Sequence, residues 1–199
     1  MSEKIALVDM DGTLCNFDKA MRRDLVKLAG PNEPPPRMGK YDGMPDHIKA
    51  RRELIKSQPG WWRELEPMED GMHVLNLMET MGFDVHILTQ GPRGTTSAWS
   101  EKVQWCVDHL GLVGDRYDIT ITRNKGIAYG RVLMDDWPEY GLAWLEHRPR
   151  GLLLMPDRPW NKGFKHPNCV RMTNLTRVFK ALQAAFDRED GADLDLTWS

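Results

Sequence analysis

The residues of this chain that could do chemistry come in a fixed order. Asp9 and Asp11 stand near the start, Thr89 in the middle, then Lys125, then the adjacent pair Asp135 and Asp136. Taken singly each has an ordinary explanation. An Asp-x-Asp is commonly a turn, and Asp-Asp is commonly a loop or a helix cap. Together they are a set of carboxylates, one hydroxyl and one ammonium. Carboxylates gathered from separate strands repel one another unless a cation joins them, and an oxygen-only set suits Mg²⁺ with a phosphate oxygen completing its coordination. One carboxylate can attack phosphorus, and a second can protonate the leaving oxygen and later deprotonate water. A hydroxyl and a lysine can hold and neutralise the phosphoryl oxygens. The chemistry implied is phosphoryl transfer.

The elements that must position these groups can be read from patterning. Residues 5–9 are a short apolar run that ends in a carboxylate and predict a buried strand. Further strands are predicted over 83–88, ending at Thr89, and over 118–122, 131–134, 151–155 and 169–172. Helices are expected over 17–29, over 45–58, from a cap at Asp70 through Met81, over 97–110 closed by Gly111, and from a cap at Asn174 to about Asp187. Residues 31–43 and 156–167 read as loops. Strands alternating with helices predict an α/β fold, a three-layer, Rossmann-like parallel sheet. In such sheets ligands sit beyond the carboxyl ends of the strands at a topological switch point. The chemical residues fall at four such ends. The stretch between the first two strands is too long for a simple crossover. A small helical cap over 17–80 is therefore expected, with a catalytic core over 1–16 and 81–188 and a flexible tail over 189–199.

Composition narrows the class. The 199 residues suit one domain with an insertion. Lys and Arg number 27 against 29 Asp and Glu, a net charge of −2, which argues against a polybasic nucleic-acid binder. Residues 18–63 nevertheless hold eleven basic and six acidic residues, so a basic lid over an acidic site is one reading and a solvated helix face the other. Cys15, Cys106 and Cys169 form no paired motif, no apolar run approaches the ~20 residues of a membrane span, and residues 1–12 turn acidic too soon for a signal peptide. A cytoplasmic location with no membrane partner is expected. The six His lack metal-ligand spacing, and no Gly-rich P-loop or dinucleotide motif occurs. Eight Trp against five Phe and four Tyr is the unusual number. Trp99 and Trp105 on the helix over 97–110 are expected to pack, and Trp137 to wall the site.

The span DMDGTL at 9–14 resembles the first motif of the haloacid dehalogenase superfamily of phosphatases, with Thr89, Lys125 and Asp135-Asp136 resembling its second to fourth motifs. Within it the chain is most similar to the 5'(3')-deoxyribonucleotidases. DMDGTLCNF at 9–17, WWRELEP at 61–67, TITRNK at 120–125 and LMDD at 133–136 are similar to DxDGVLADF, FFxELEP, LTRDK and LIDD. Two departures stand out: Thr89-Gln90-Gly91-Pro92 replaces Thr-Ser-Pro, and Asn124 replaces an Asp.

The resemblance implies a Mg²⁺-dependent phosphoric monoester hydrolase acting on (deoxy)nucleoside monophosphates through an aspartyl-phosphate. By the same resemblance Asp9 is the nucleophile and a metal ligand. Asp11 is the general acid/base, binding the metal through its carbonyl. Asp136 is a metal ligand, with Asp135 a near or water-mediated partner, and Thr89 and Lys125 hold the phosphoryl group. Phe17, Trp61, Trp62, Gln90 and Arg93 fall at substrate-binding positions, the aromatics as base-stacking residues, although Phe17 and a Trp could equally be cap core; Tyr41 is a weaker candidate. Stacking contributes ~1–3 kcal/mol per base. The partner expected is a small phosphate monoester, a nucleotide. A sugar-phosphate phosphatase and a nucleic-acid end phosphatase are the alternatives, although no nucleic acid is expected. A homodimer is left open.

Overall fold

A computed structural model describes residues 4–34, 43–111 and 117–197. The elements in chain order are β1 (Ile5–Val8), α1 (Phe17–Lys27), α2 (Asp46–Lys56), α3 (Glu69–Thr80), β2 (Asp84–Thr89), α4 (Ser97–Leu110), β3 (Ile119–Ile121), a 3₁₀ turn (Lys125–Ile127), β4 (Val132–Met134), α5 (Pro138–His147), β5 (Leu152–Met155), β6 (Cys169–Arg171) and α6 (Leu175–Asp187). The chain divides into two compact units. The first is Met1–Leu14, Met68–Gln90 and Tyr117–Ser199, and the second is Cys15–Pro67 and Gly91–Arg116.

The first unit holds one six-stranded sheet in the order β3-β2-β1-β4-β5-β6, parallel throughout. β1, β4 and β5 are continuous apolar runs buried along their whole length, as strands covered on both faces must be. Ile5, Leu7, Leu133, Leu153 and Met155 form a core cluster with Trp144 and Leu145 of α5. α3 and α6 pack against each other, α3 also on β2 and α6 on β5 and β6. The strand order reverses at the β1–β4 junction, which is the switch point for a ligand.

The expected cap segment over 17–80 is shared between the units: 17–67 lie in the second and 68–80, with α3, in the first. The cause is local. A Cβ on Gly71 of α3 would lie 1.9 Å from the Thr13 carbonyl oxygen, so the helix backbone rests directly on the turn after β1. Asp70 does not cap α3, because the N-cap is Met68, without a side-chain bond. Asp70 sits in the first turn and receives the Arg158 guanidinium at 2.8 and 3.1 Å. Asn174 does cap α6, its side chain accepting from Arg177 N. The sequence reading did not place α5, which begins on Pro138 at a position where the missing N–H has no helical partner. Residues 188–191 are tied back by Arg131, which donates to Arg188 O and Asp190, and by Arg150, which donates to Gly191 O.

The second unit is helical. Its aromatic centre is Phe17, Trp61 and Trp62, with ring centroids 5.0–5.5 Å apart. Trp61 Nε1 donates to Asp24, Trp62 Nε1 to Lys56 O and Trp105 Nε1 to Leu65 O. Trp105 is fully buried as expected, whereas Trp99 is 42% exposed, its Nε1 donating to Pro92 O. Among the described residues no helix is long and apolar enough to cross a membrane. The candidate Tyr41 and most of the 31–43 loop lie outside the described residues.

Candidate active site

Strand register brings the carboxylates together. Val8 is paired with Met134, and Asp9 N donates to Met134 O at 2.9 Å, so the residues that follow β1 and β4 emerge side by side. Asp9, Asp135 and Asp136 each offer an oxygen within 4.8 Å of the others, and all three are buried. Lys125, at the start of the 3₁₀ turn after β3, is 2% exposed and donates from Nζ to Asp9 Oδ1 (2.6 Å) and Asp135 Oδ2 (2.7 Å). Thr89 ends β2, fully buried. The ends of β1 and β4 and the turn after β3 thus carry the cluster. Asp11 lies half-buried in the turn between Asp9 and Gly12.

The turn itself requires glycine. Gly12 has φ +79°, a left-handed conformation, and a Cβ there would lie 2.5 Å from Asp136 Oδ2. Any side chain would push into the carboxylate that the turn packs against.

The electrostatics are unbalanced. Burial pushes the Asp9 carboxyl up to about 7; Lys125 opposes this, while Asp135 and Asp11 add to it. Burial, then the charges of Asp135 and Asp9, push Asp136 well above the usual carboxylate range. Burial would lower the Lys125 ammonium, but Asp135 and Asp9 outweigh it and hold it above its ordinary range. Three carboxylates thus share one buried ammonium, and a further cation would relieve what remains.

The hydrogen bonds distinguish the two adjacent aspartates. Asp135 uses Oδ2 for Lys125 and Oδ1 for the Trp137 backbone N–H at 2.8 Å. Asp136 uses Oδ2 for Trp160 Nε1 at 2.8 Å, and among the described residues its Oδ1 accepts no hydrogen bond. The oxygens left for a cation are Asp9 Oδ2 and Asp136 Oδ1. All-oxygen donors with net negative charge fit a hard divalent ion.

Four residues close to this cluster were given no role from the sequence. Trp160 binds Asp136 as above. Asn161 Nδ2 donates to Asp136 O and to Pro156 O, and Arg158 Nε donates to Gly12 O at 2.8 Å. Tyr140 donates to Gln90 Oε1, and the Lys125 ammonium lies 5.0 Å above the Tyr140 ring. Gln90 therefore stands next to Thr89 with its carbonyl engaged.

Of the other expected substrate residues, Trp61 and Trp62 are only 7% and 3% exposed, whereas Phe17 is half-buried. Arg93 is exposed and belongs to the second unit.

Comparison with known proteins gives the same direction. A family model described as 5' nucleotidase, deoxy (pyrimidine), cytosolic type C protein matches residues 3–185. A Bordetella bronchiseptica protein assigned as a 5'(3')-deoxyribonucleotidase is 27% identical over 166 residues, 79% of this chain and 86% of its own. The human 5'(3')-deoxyribonucleotidase of cytosolic type is 28% identical over 141 residues, 65% of this chain and 69% of its own. Among solved structures, one assigned as a haloacid dehalogenase-like hydrolase from Burkholderia xenovorans LB400 superposes with TM-score 0.53 at 13% identity, covering 90% of this chain and 96% of that one. One assigned as a β-phosphoglucomutase from Thermotoga maritima gives TM-score 0.50 at 12% identity, covering 90% and 98%. At these identities the superpositions establish the fold, the α/β sheet of haloacid dehalogenase-like hydrolases.

Proposed function

The chain belongs to the cytosolic type C deoxy-5'-nucleotidase family, and from that membership we propose that it hydrolyses deoxynucleoside monophosphates to nucleoside and phosphate. The observation that carries the chemistry is the buried cluster of Asp9, Asp135 and Asp136 around Lys125 at the β1–β4 switch point.

Asp9 would act as nucleophile, its carboxylate oxygen forming a bond to phosphorus as the ester P–O bond breaks. Asp11 would give its proton to the leaving oxygen and then take one from the water that releases phosphate from Asp9. Lys125 bridges Asp9 and Asp135 by bonding both, and would supply positive charge for the phosphoryl oxygens. Thr89, buried at the end of β2, would donate to the same group. Asp9 and Asp136 would hold a divalent cation, and Mg²⁺ is the ion their oxygens suit. Bound there, it would neutralise charge on the phosphoryl group and keep Asp9 ionised. Asp135, with both oxygens engaged, would support from behind.

For the leaving group, Phe17 is the aromatic with accessible surface and would contact the base. Trp61 and Trp62, buried with both indole N–H groups bonded, would support it. Gln90 and Arg93 would contact the substrate beside the phosphate. A cytoplasmic location suits the reading, as the human relative is of cytosolic type.

The test is Mg²⁺-dependent phosphate release from a panel of deoxynucleotides, ribonucleotides, sugar phosphates and 5'-phosphorylated oligonucleotides. Turnover highest on deoxynucleoside monophosphates is expected. Turnover confined to sugar phosphates or oligonucleotides would replace the substrate assignment.

A further inference from the structure

The loop between β5 and β6 contributes no group to the phosphoryl chemistry, yet three side chains within four residues of it bear on the site. Arg158 is held to Asp70 at the start of α3 and donates Nε to Gly12 O, so it pins the turn that carries Asp11. Asn161, 1% exposed, donates to the Asp136 carbonyl and is itself fixed by the Arg171 guanidinium, which bonds both its oxygens. Between them Trp160 reaches the Asp136 carboxylate. The backbone of Asp136 and one of its two oxygens are thus both set from this loop.

We propose that Trp160 is a positioning residue that fixes the rotation of the Asp136 carboxylate, occupying Oδ2 so that Oδ1 is the oxygen presented to the divalent cation. The inference rests on the metal-dependent phosphatase reading above and assigns a part to a residue outside the motifs that carry it. The residue type is informative. An indole N–H donates, cannot accept and carries no charge. A lysine or arginine at this position would neutralise Asp136 and compete with the cation, as Lys125 already does at Asp135. A glutamine would add an acceptor beside carboxylates that already repel. Trp160 holds one oxygen without spending the charge that the metal needs. A Cβ on Gly12 would lie 2.5 Å from the same Oδ2, so the turn after β1 also leaves this oxygen its room.

Outer partners of metal ligands set affinity by roughly 10–100-fold. The experiment is Mn²⁺ titration of the full-length protein, free ion read by electron paramagnetic resonance, for wild type, Trp160→Phe and the control Trp99→Phe. Trp160→Phe keeps an aromatic ring and removes the pyrrole half of the indole with its N–H donor. The expected result is a Kd for Mn²⁺ weakened about tenfold in Trp160→Phe and unchanged in Trp99→Phe. Activity should then show a higher Mg²⁺ activation constant, with kcat recovered at saturating Mg²⁺, a rescue that a folding lesion does not give. An unchanged Kd in folded Trp160→Phe overturns the inference and leaves the phosphatase reading intact. Absence of Mn²⁺ binding in wild type removes the reading on which both rest. If Trp160→Phe does not fold, Trp160→Leu carries the same comparison.

Discussion

Removing divalent ions should make this protein less stable as the pH rises through the mildly acidic range, the reverse of ordinary acid denaturation. The perturbation is EDTA, and the group is Asp9, raised from an ordinary 3.8 to about 7 by burial. A carboxyl with a raised folded-state pKa binds its proton more tightly folded than unfolded. Between pH 5 and pH 7 the folded state holds that proton and the unfolded chain does not, so stability falls with pH. Integrating from pH 5 to pH 7 gives a loss of about 2 kcal/mol from Asp9 alone. Asp136, raised for the same reason, adds in the same direction. Asp24 and Glu33, held low first by Arg23 and by Arg51 respectively, lose their stabilisation only as the pH falls through the acid range and leave this window flat. Lys125, raised, titrates far above it. The assay is urea unfolding of apo protein at pH 5, 6 and 7, repeated with saturating Mg²⁺ and with Asp9→Asn. Apo stability should fall by about 2 kcal/mol or more. Mg²⁺ should flatten the fall, and Asp9→Asn should remove the Asp9 share of it. An apo stability that stays level or rises from pH 5 to pH 7 would contradict a raised Asp9 carboxyl.

Lys125→Met should cost about 3–5 kcal/mol of apo stability at pH 8, because it leaves buried carboxylates without their ammonium. The loss should shrink at pH 5, where the carboxylates protonate instead, and the same urea series reads it. Gly71→Ala should destabilise by about 2 kcal/mol, the clash with the Thr13 carbonyl outweighing the gain in helix propensity of ~1 kcal/mol; a thermal midpoint at or above wild type would contradict that packing. Cys169, whose thiol burial pushes up to about 12, should react with iodoacetamide at pH 8 far more slowly than a free cysteine, as mass spectrometry of the labelled peptide would show.

The acidic cluster was legible because Asp9 and Asp135-Asp136 each follow an apolar run, and a strand end in a parallel sheet is a defined place. Asp9 after β1 and Asp135-Asp136 after β4 needed only the strand order to meet. What could not be read depends on contacts between distant residues. Arg158 reaches Gly12 across 146 positions and Trp160 reaches Asp136 across 24, with no spacing rule to announce either bond. Trp160, one of eight tryptophans, offered no pattern at all, whereas Trp61 and Trp62 drew notice by their neighbourhood and are buried. The division of the chain escaped for the same reason: α3 looks like part of the long segment after β1, and only its seat on Thr13 assigns it to the sheet. The helix α5 was given no bounds from the sequence, because Gly141 stands at one of its buried positions, where it abuts Leu153 of the sheet.

The proposed reaction depends on Asp9 as the nucleophile. The most direct measurement is Mg²⁺-dependent phosphate release from a deoxynucleoside monophosphate by Asp9→Asn, with the fold verified by circular dichroism. A folded protein whose release falls to background is expected. A folded Asp9→Asn turning over close to wild type would contradict that role.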